Sequence, residues 1–225
     1  MRRPGKHNTR ACMRALTAML ALGLLGGCSI LGGNKTPVTI YAPDPRVQPD
    51  PAWPQVSWKL ALGTPVAARM VDSLRIAVRP TPGELEVYKG ANWAKAPSEQ
   101  IEDTVLHALE DSQKISAVAR QGSGIAADYT LLTDVRRFEA DYAGNAVPAA
   151  TIEVNAKLLG AADQNVVASR TFLQAVPASG IDTASVAQAF GTALGTIGRD
   201  IAGWTLSTGN AHERSTLHPG KPTSK

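Results

Sequence analysis

Alternation of apolar and polar positions is clearest where Ile152, Val154, Ala156 and Leu158 interleave with Thr151, Glu153, Asn155 and Lys157. That period of two predicts a strand with one buried face. The turn residues of 160–165 follow, and the apolar run 166–176 returns, so the pair predicts an antiparallel hairpin. Residues 129–138 predict a further strand that ends at the loop 143–148. Upstream, Leu74, Ile76 and Val78 alternate with Arg75, Ala77 and Arg79, and a second short strand, 85–88, follows the turn cluster 80–83. Two stretches carry helical spacing instead. One begins after Pro97 with Ser98 as its cap and presents Ile101, Val105, Leu106 and Leu109. The other is capped by Asp182 or Thr183 and presents Val186, Phe190, Ala193, Leu194, Ile197, Ile201 and Trp204. Gly191, Gly195 and Gly198 share one side of it and predict a close approach to the sheet. Few strand–helix–strand alternations occur. The expectation is a single α+β domain, a mostly antiparallel sheet with two principal helices packed on it.

The ends follow other rules. Residues 1–27 carry Arg2, Arg3, Lys6, Arg10 and Arg14, no acid, and an apolar run from Ala15 to Leu25. This is the layout of a secretory signal peptide, and the run is too short to span a bilayer. Leu25, Gly26, Gly27 and Cys28 resemble the bacterial lipobox, which directs lipid to the sulfur of Cys28 and cleavage before it. The second cysteine, Cys12, lies inside the leader, so the mature chain has one cysteine and no internal disulfide. Residues 28–56 hold six prolines and predict a lipidated linker. At ~3.1 Å per residue in polyproline geometry it reaches up to roughly 87 Å. Residues 57–206 form the domain, and 207–225, rich in Ser, Thr and His, predict a disordered tail.

Composition changes the picture in one respect. The 225-residue chain has a formal charge of +4, but without residues 1–27 its 18 basic side chains face 19 acidic ones. A nucleic-acid role resting on bulk charge is excluded.

Candidate chemistry is sparse. Gly122–Ala127 fits G-x-G-x-x-A, but a strand rather than a helix follows, so a glycine-rich turn is expected. The histidines are His7 in the leader, His107 on the first helix, and His212 and His218 in the tail. No metal-ligand spacing and no G-x-S-x-G elbow occurs, so no catalytic residue, cofactor or metal is assigned. Glu84 with Glu86 and Glu102 with Asp103 read as solvated surface pairs. Tyr88, Trp93 and Tyr142 are candidates for a partner surface or for packing.

The collinear blocks Val71-Asp-Ser-Leu-Arg-Ile-Ala-Val-Arg-Pro80, Glu84-Leu-Glu-Val-Tyr88 and Ala91-Asn-Trp-Ala94, continuing to Trp204, resemble the ABC-type transport auxiliary lipoproteins, the PqiC-like family. Val78 replaces a common Tyr, and Asn92 a common Arg. The resemblance implies a non-enzymatic, lipid-anchored component of an envelope lipid transport system. It implies as partners an MCE-family periplasmic protein with its ABC permease and ATPase. The implied location is the outer membrane, facing the periplasm. A structural or assembly lipoprotein of the pilotin or synthase-activator kind, a periplasmic hydrolase and homo-oligomerisation stay open on the residues alone.

Overall fold

The computed structural model describes residues 37–217, and its long strand β7 (Tyr129–Asp141) is the spine of a nine-stranded mixed sheet. Along one edge β7 pairs antiparallel with β8 (Ala149–Gly160), which pairs antiparallel with β9 (Val166–Pro177). The expected hairpin is therefore present, and its two long ladders make the sheet mostly antiparallel. Along the other edge three short strands lie end to end, each parallel to β7: β2 (Val56–Leu62), β3 (Val66–Ala67) and β4 (Arg75–Arg79). Outside β2 lies β6 (Ile115–Arg120); outside β4 lie β5 (Glu86–Trp93) and then β1 (Thr39–Tyr41). Helices α1 (Pro97–Ser112) and α2 (Thr183–Leu217) pack against each other, α1 beside β6 and α2 across β8 and β9. The α+β expectation holds.

A bulge in β7 sets which side chains meet the helices. Val135 pairs with Val154 but Arg137 with Glu153, so Arg136 is an extra residue. Phe138 and Ala140 thereby reach the core, while Arg137 and Glu139 meet in an ion pair. Phe138 stacks on Phe190 of α2 (centroids 4.7 Å apart), and Trp93 stands edge-on to both rings at 5.8 and 5.1 Å. These three large side chains are fully buried and anchor the sheet to α2.

Several expectations are corrected. The segment 207–217, read as tail, continues α2, because β2 and β7 supply tertiary partners to a polar sequence. Gly209 lies against the Trp58 indole, Leu206 is fully buried, and Tyr129 bonds His212 and Glu213. The proline-rich stretch is no free linker from residue 38 onward. It forms β1, crosses α2 and buries Trp53 against Gly203. The glycines of α2 consequently meet this strap and α1 rather than the sheet: Gly191 faces Pro43, Gly195 faces Pro45 and Gly198 faces Thr104. Helix α1 takes Ala96 as its N-cap with no side-chain bond from that residue. Ser98 does not cap; its N–H donates to Asp72 Oδ1 at 3.0 Å. Asp182 does cap α2, accepting from Ser185 N–H at 2.9 Å and from the Ser185 hydroxyl at 2.6 Å. Strand β4 is an inner strand, so Ala77 is as buried as Ile76, while Leu74 is exposed. Strands β1, β2, β3 and β6 have no counterpart in the sequence reading.

Candidate functional site

The strap 42–48 divides the main concave surface into two clefts. On one side, about 560 Å³ lies between Pro43–Gln48 and the α2 face bearing Gln188, Thr192, Thr196 and Arg199. On the other, about 250 Å³ lies between Ala42–Pro45 and α1, lined by Lys95, Gln100, Asp103 and His107. Sequence builds both walls locally. Prolines at 43 and 45 keep the strap extended, and the small residues of α2 let it lie close: Pro45 is 3.3 Å from where a Cβ on Gly195 would stand.

The smaller cleft is charged in both senses. Lys95 Nζ is 2.5 Å from Asp103 Oδ2, and this bond holds the Lys95 ammonium above its ordinary pKa. Arg120 pairs with the same Asp103 and, at 3.4 Å, with Glu102. Glu102 and Asp103 are therefore not a freely solvated pair as expected: they are mostly covered and carry ion pairs to Arg120 and Lys95. His107 is exposed on the cleft rim. Gln100 is buried, and its amide donates to the Lys95 carbonyl at 2.8 Å. Such a lining offers donors and acceptors to a polar segment of a partner. An acyl chain would be matched by an apolar enclosure instead.

A third cleft, about 470 Å³, lies beside Tyr129, Asp128, Asp163, His212 and Glu213. Burial, then the Glu213 hydrogen bond, push the Tyr129 phenol well above its ordinary pKa, so it stays protonated and is a poor nucleophile. Among the described residues no group of three His, Cys, Asp or Glu side chains is placed to hold a metal ion.

The candidate residues separate. Trp93 is 2% exposed and takes the packing role. Tyr88 and Tyr142 come together at the margin of the core. The Tyr88 oxygen is buried without a well-formed hydrogen bond, and burial followed by the neighbouring Tyr142 phenol raises its pKa. Gly122–Ala127 is a turn leading into β7, as expected. Cys28 lies outside the described residues. Sequence reasoning missed the strap clefts; the signal available was the match between two alternating prolines and two glycines one helical turn apart.

A sequence model of the ABC-type transport auxiliary lipoprotein component matches residues 39–202. The chain is 59% identical to the protein XCC0632 of Xanthomonas campestris, whose crystal structure superposes with a TM-score of 0.77 over 79% of this chain and 99% of that one. It is 27% identical to the protein bll6063 of Bradyrhizobium diazoefficiens over 82% of this chain, and spans about half (50%) of that relative's length. The hypothetical protein CT253 of Chlamydia trachomatis, 7% identical, shares the fold with a TM-score of 0.50 over 69% of this chain and 99% of that one.

Proposed function

This chain belongs to the ABC-type transport auxiliary lipoprotein family, and from that premise we propose that it is the lipid-anchored docking component of an MCE/ABC-type envelope lipid transporter. The observation that carries the reading is the coincidence of a family match over residues 39–202, most of the domain, with a lipobox-like sequence ahead of it. In this reading Cys28 carries the acyl anchor and holds the domain at the outer membrane. The domain receives the periplasmic MCE protein there, while the permease and ATPase supply transport from the inner membrane. The polar clefts on either side of the strap favour docking over carriage of lipid inside the domain, because an acyl chain gains little from walls lined by Lys95, Asp103 and Arg199.

Two measurements test it. Metabolic palmitate labelling is expected in the wild type and absent in Cys28→Ser. A pull-down from detergent-solubilised envelopes, with the lipidated protein as bait, is expected to recover MCE, permease or ATPase components. Recovery of a secretin or a cell-wall synthase in their place overturns the transport reading.

A further inference from the structure

The strand β1 ends the sheet, and the strap that follows it is packed on the domain, so β1 is where the described fold begins in the chain. Ten residue steps separate Cys28 from Val38. Even fully extended at ~3.6 Å each they span about 36 Å. A domain of this size has a radius of gyration of about 16 Å, so the tether is no longer than roughly one domain diameter. An anchor at Cys28 therefore confines the β1 corner to within about 36 Å of its bilayer, a reach that docking of this corner needs.

That corner is unlike an ordinary sheet edge. Val38 and Ile40 are 54% and 66% exposed, and Leu74 is 50% exposed. Alternation sets Val38 and Ile40 on the same face as Arg75, with Leu74 in the next row on the other face of the same corner. Ile40 is in register with Asn92, and Asn92 with Arg75; one row along, Tyr41 is in register with Trp93, whose N–H donates to the Leu74 carbonyl at 2.7 Å. Adjacent strands lie about 4.8 Å apart, so the rows bring Ile40 and Arg75 to within about 10 Å. The turn leading into Leu74 adds exposed Arg69 and Met70 (57%). The nearby acid Asp72 is engaged with Ser98 N–H, leaving the arginines as the outward charges of this turn.

We propose that this corner docks on the bilayer that holds the chain's own acyl anchor. Val38, Ile40 and Leu74 enter the headgroup region, and Arg69 and Arg75 meet lipid phosphates. Apolar side chains flanked by arginine suit that interface, where the first lose contact with water and the second gain anionic partners. Docking would fix the orientation of the domain and turn its helical face and strap clefts to the periplasm. The inference rests on the reading of Cys28 as the lipidated residue.

The test uses the mature lipidated protein in vesicles of phosphatidylethanolamine and phosphatidylglycerol. The Cys28 sulfur is then a thioether, so nitroxides attach only at Ile40→Cys, Leu74→Cys or, as control, the exposed Leu173→Cys on β9. Labels at 40 and 74 are expected to collide more often with oxygen than with a water-soluble nickel chelate. The order is reversed at 173, and the double variant Arg69→Glu/Arg75→Glu shifts position 40 toward the aqueous value. Protein that floats with vesicles but shows an aqueous label at 40 overturns docking and leaves the anchor intact. A label at 40 shielded from both reagents means that protein covers it, and also overturns docking on lipid. Protein that does not float overturns the anchor and docking together.

Discussion

The phenolic oxygen of Tyr129 lies 2.7 Å from Nδ1 of His212 and 2.7 Å from Oε1 of Glu213. A phenol has one proton to donate. With Glu213 ionised, Tyr129 donates to it and the Nδ1–H of His212 donates to the phenol, which assigns the imidazole tautomer. This arrangement fastens the last turns of α2 to β7. Tyr129→Phe should lower stability by about 1 kcal/mol and raise amide exchange in 207–217 before the rest of α2. Uniform exchange across the helix would disprove the clasp.

The same tyrosine, with Tyr88, predicts alkaline lability. Both phenols have native pKa values raised above the ordinary 10.0, so the native state keeps protons that the unfolded chain loses. Their stabilisation is complete below about pH 10 and is lost as pH rises from there toward the native values. The slope is up to ~1.4 kcal/mol per pH unit for each phenol. Denaturant midpoints between pH 9 and 11 should fall, and fall less steeply in Tyr129→Phe.

Trp93 is a packing residue. Trp93→Ala should cost about 3–5 kcal/mol, whereas Trp93→Phe should cost markedly less. Thermal melts of the two variants check this. An unchanged melting temperature in the alanine variant would contradict the aromatic triangle with Phe138 and Phe190.

Gly203 admits the Trp53 indole where a Cβ would overlap it. Gly203→Val should destabilise by about 1–3 kcal/mol through overpacking, and Trp53→Ala in the same chain should relieve part of that loss. A double-mutant cycle in denaturant measures the coupling. Strict additivity would show that the strap does not sit there.

The proline-rich segment splits into two parts with different tolerance. Replacing 29–36 by Gly and Ser should leave the melting temperature unchanged. The same exchange over 42–54 should lower it, because this strap buries Trp53 and lies on Gly191 and Gly195. Calorimetry on the two variants separates a tether from a folded element.

The sequence by itself determined the features whose cause is local. The β8–β9 hairpin follows from an alternation of Ile152 to Leu158 interrupted by turn residues, and the α2 start follows from Asp182. The family likeness was equally legible. Only the tertiary structure decided the features whose cause is distant in the chain. Asp72 caps α1 from 26 residues away, Trp58 holds Gly209 in a helix that its own polar sequence does not mark, and prolines 43 and 45 find their bed on α2. Periodicity reports the face that one element buries, but not which remote segment covers it. A polar stretch such as 207–217 pays the entropy of becoming helical only when another element supplies the contacts.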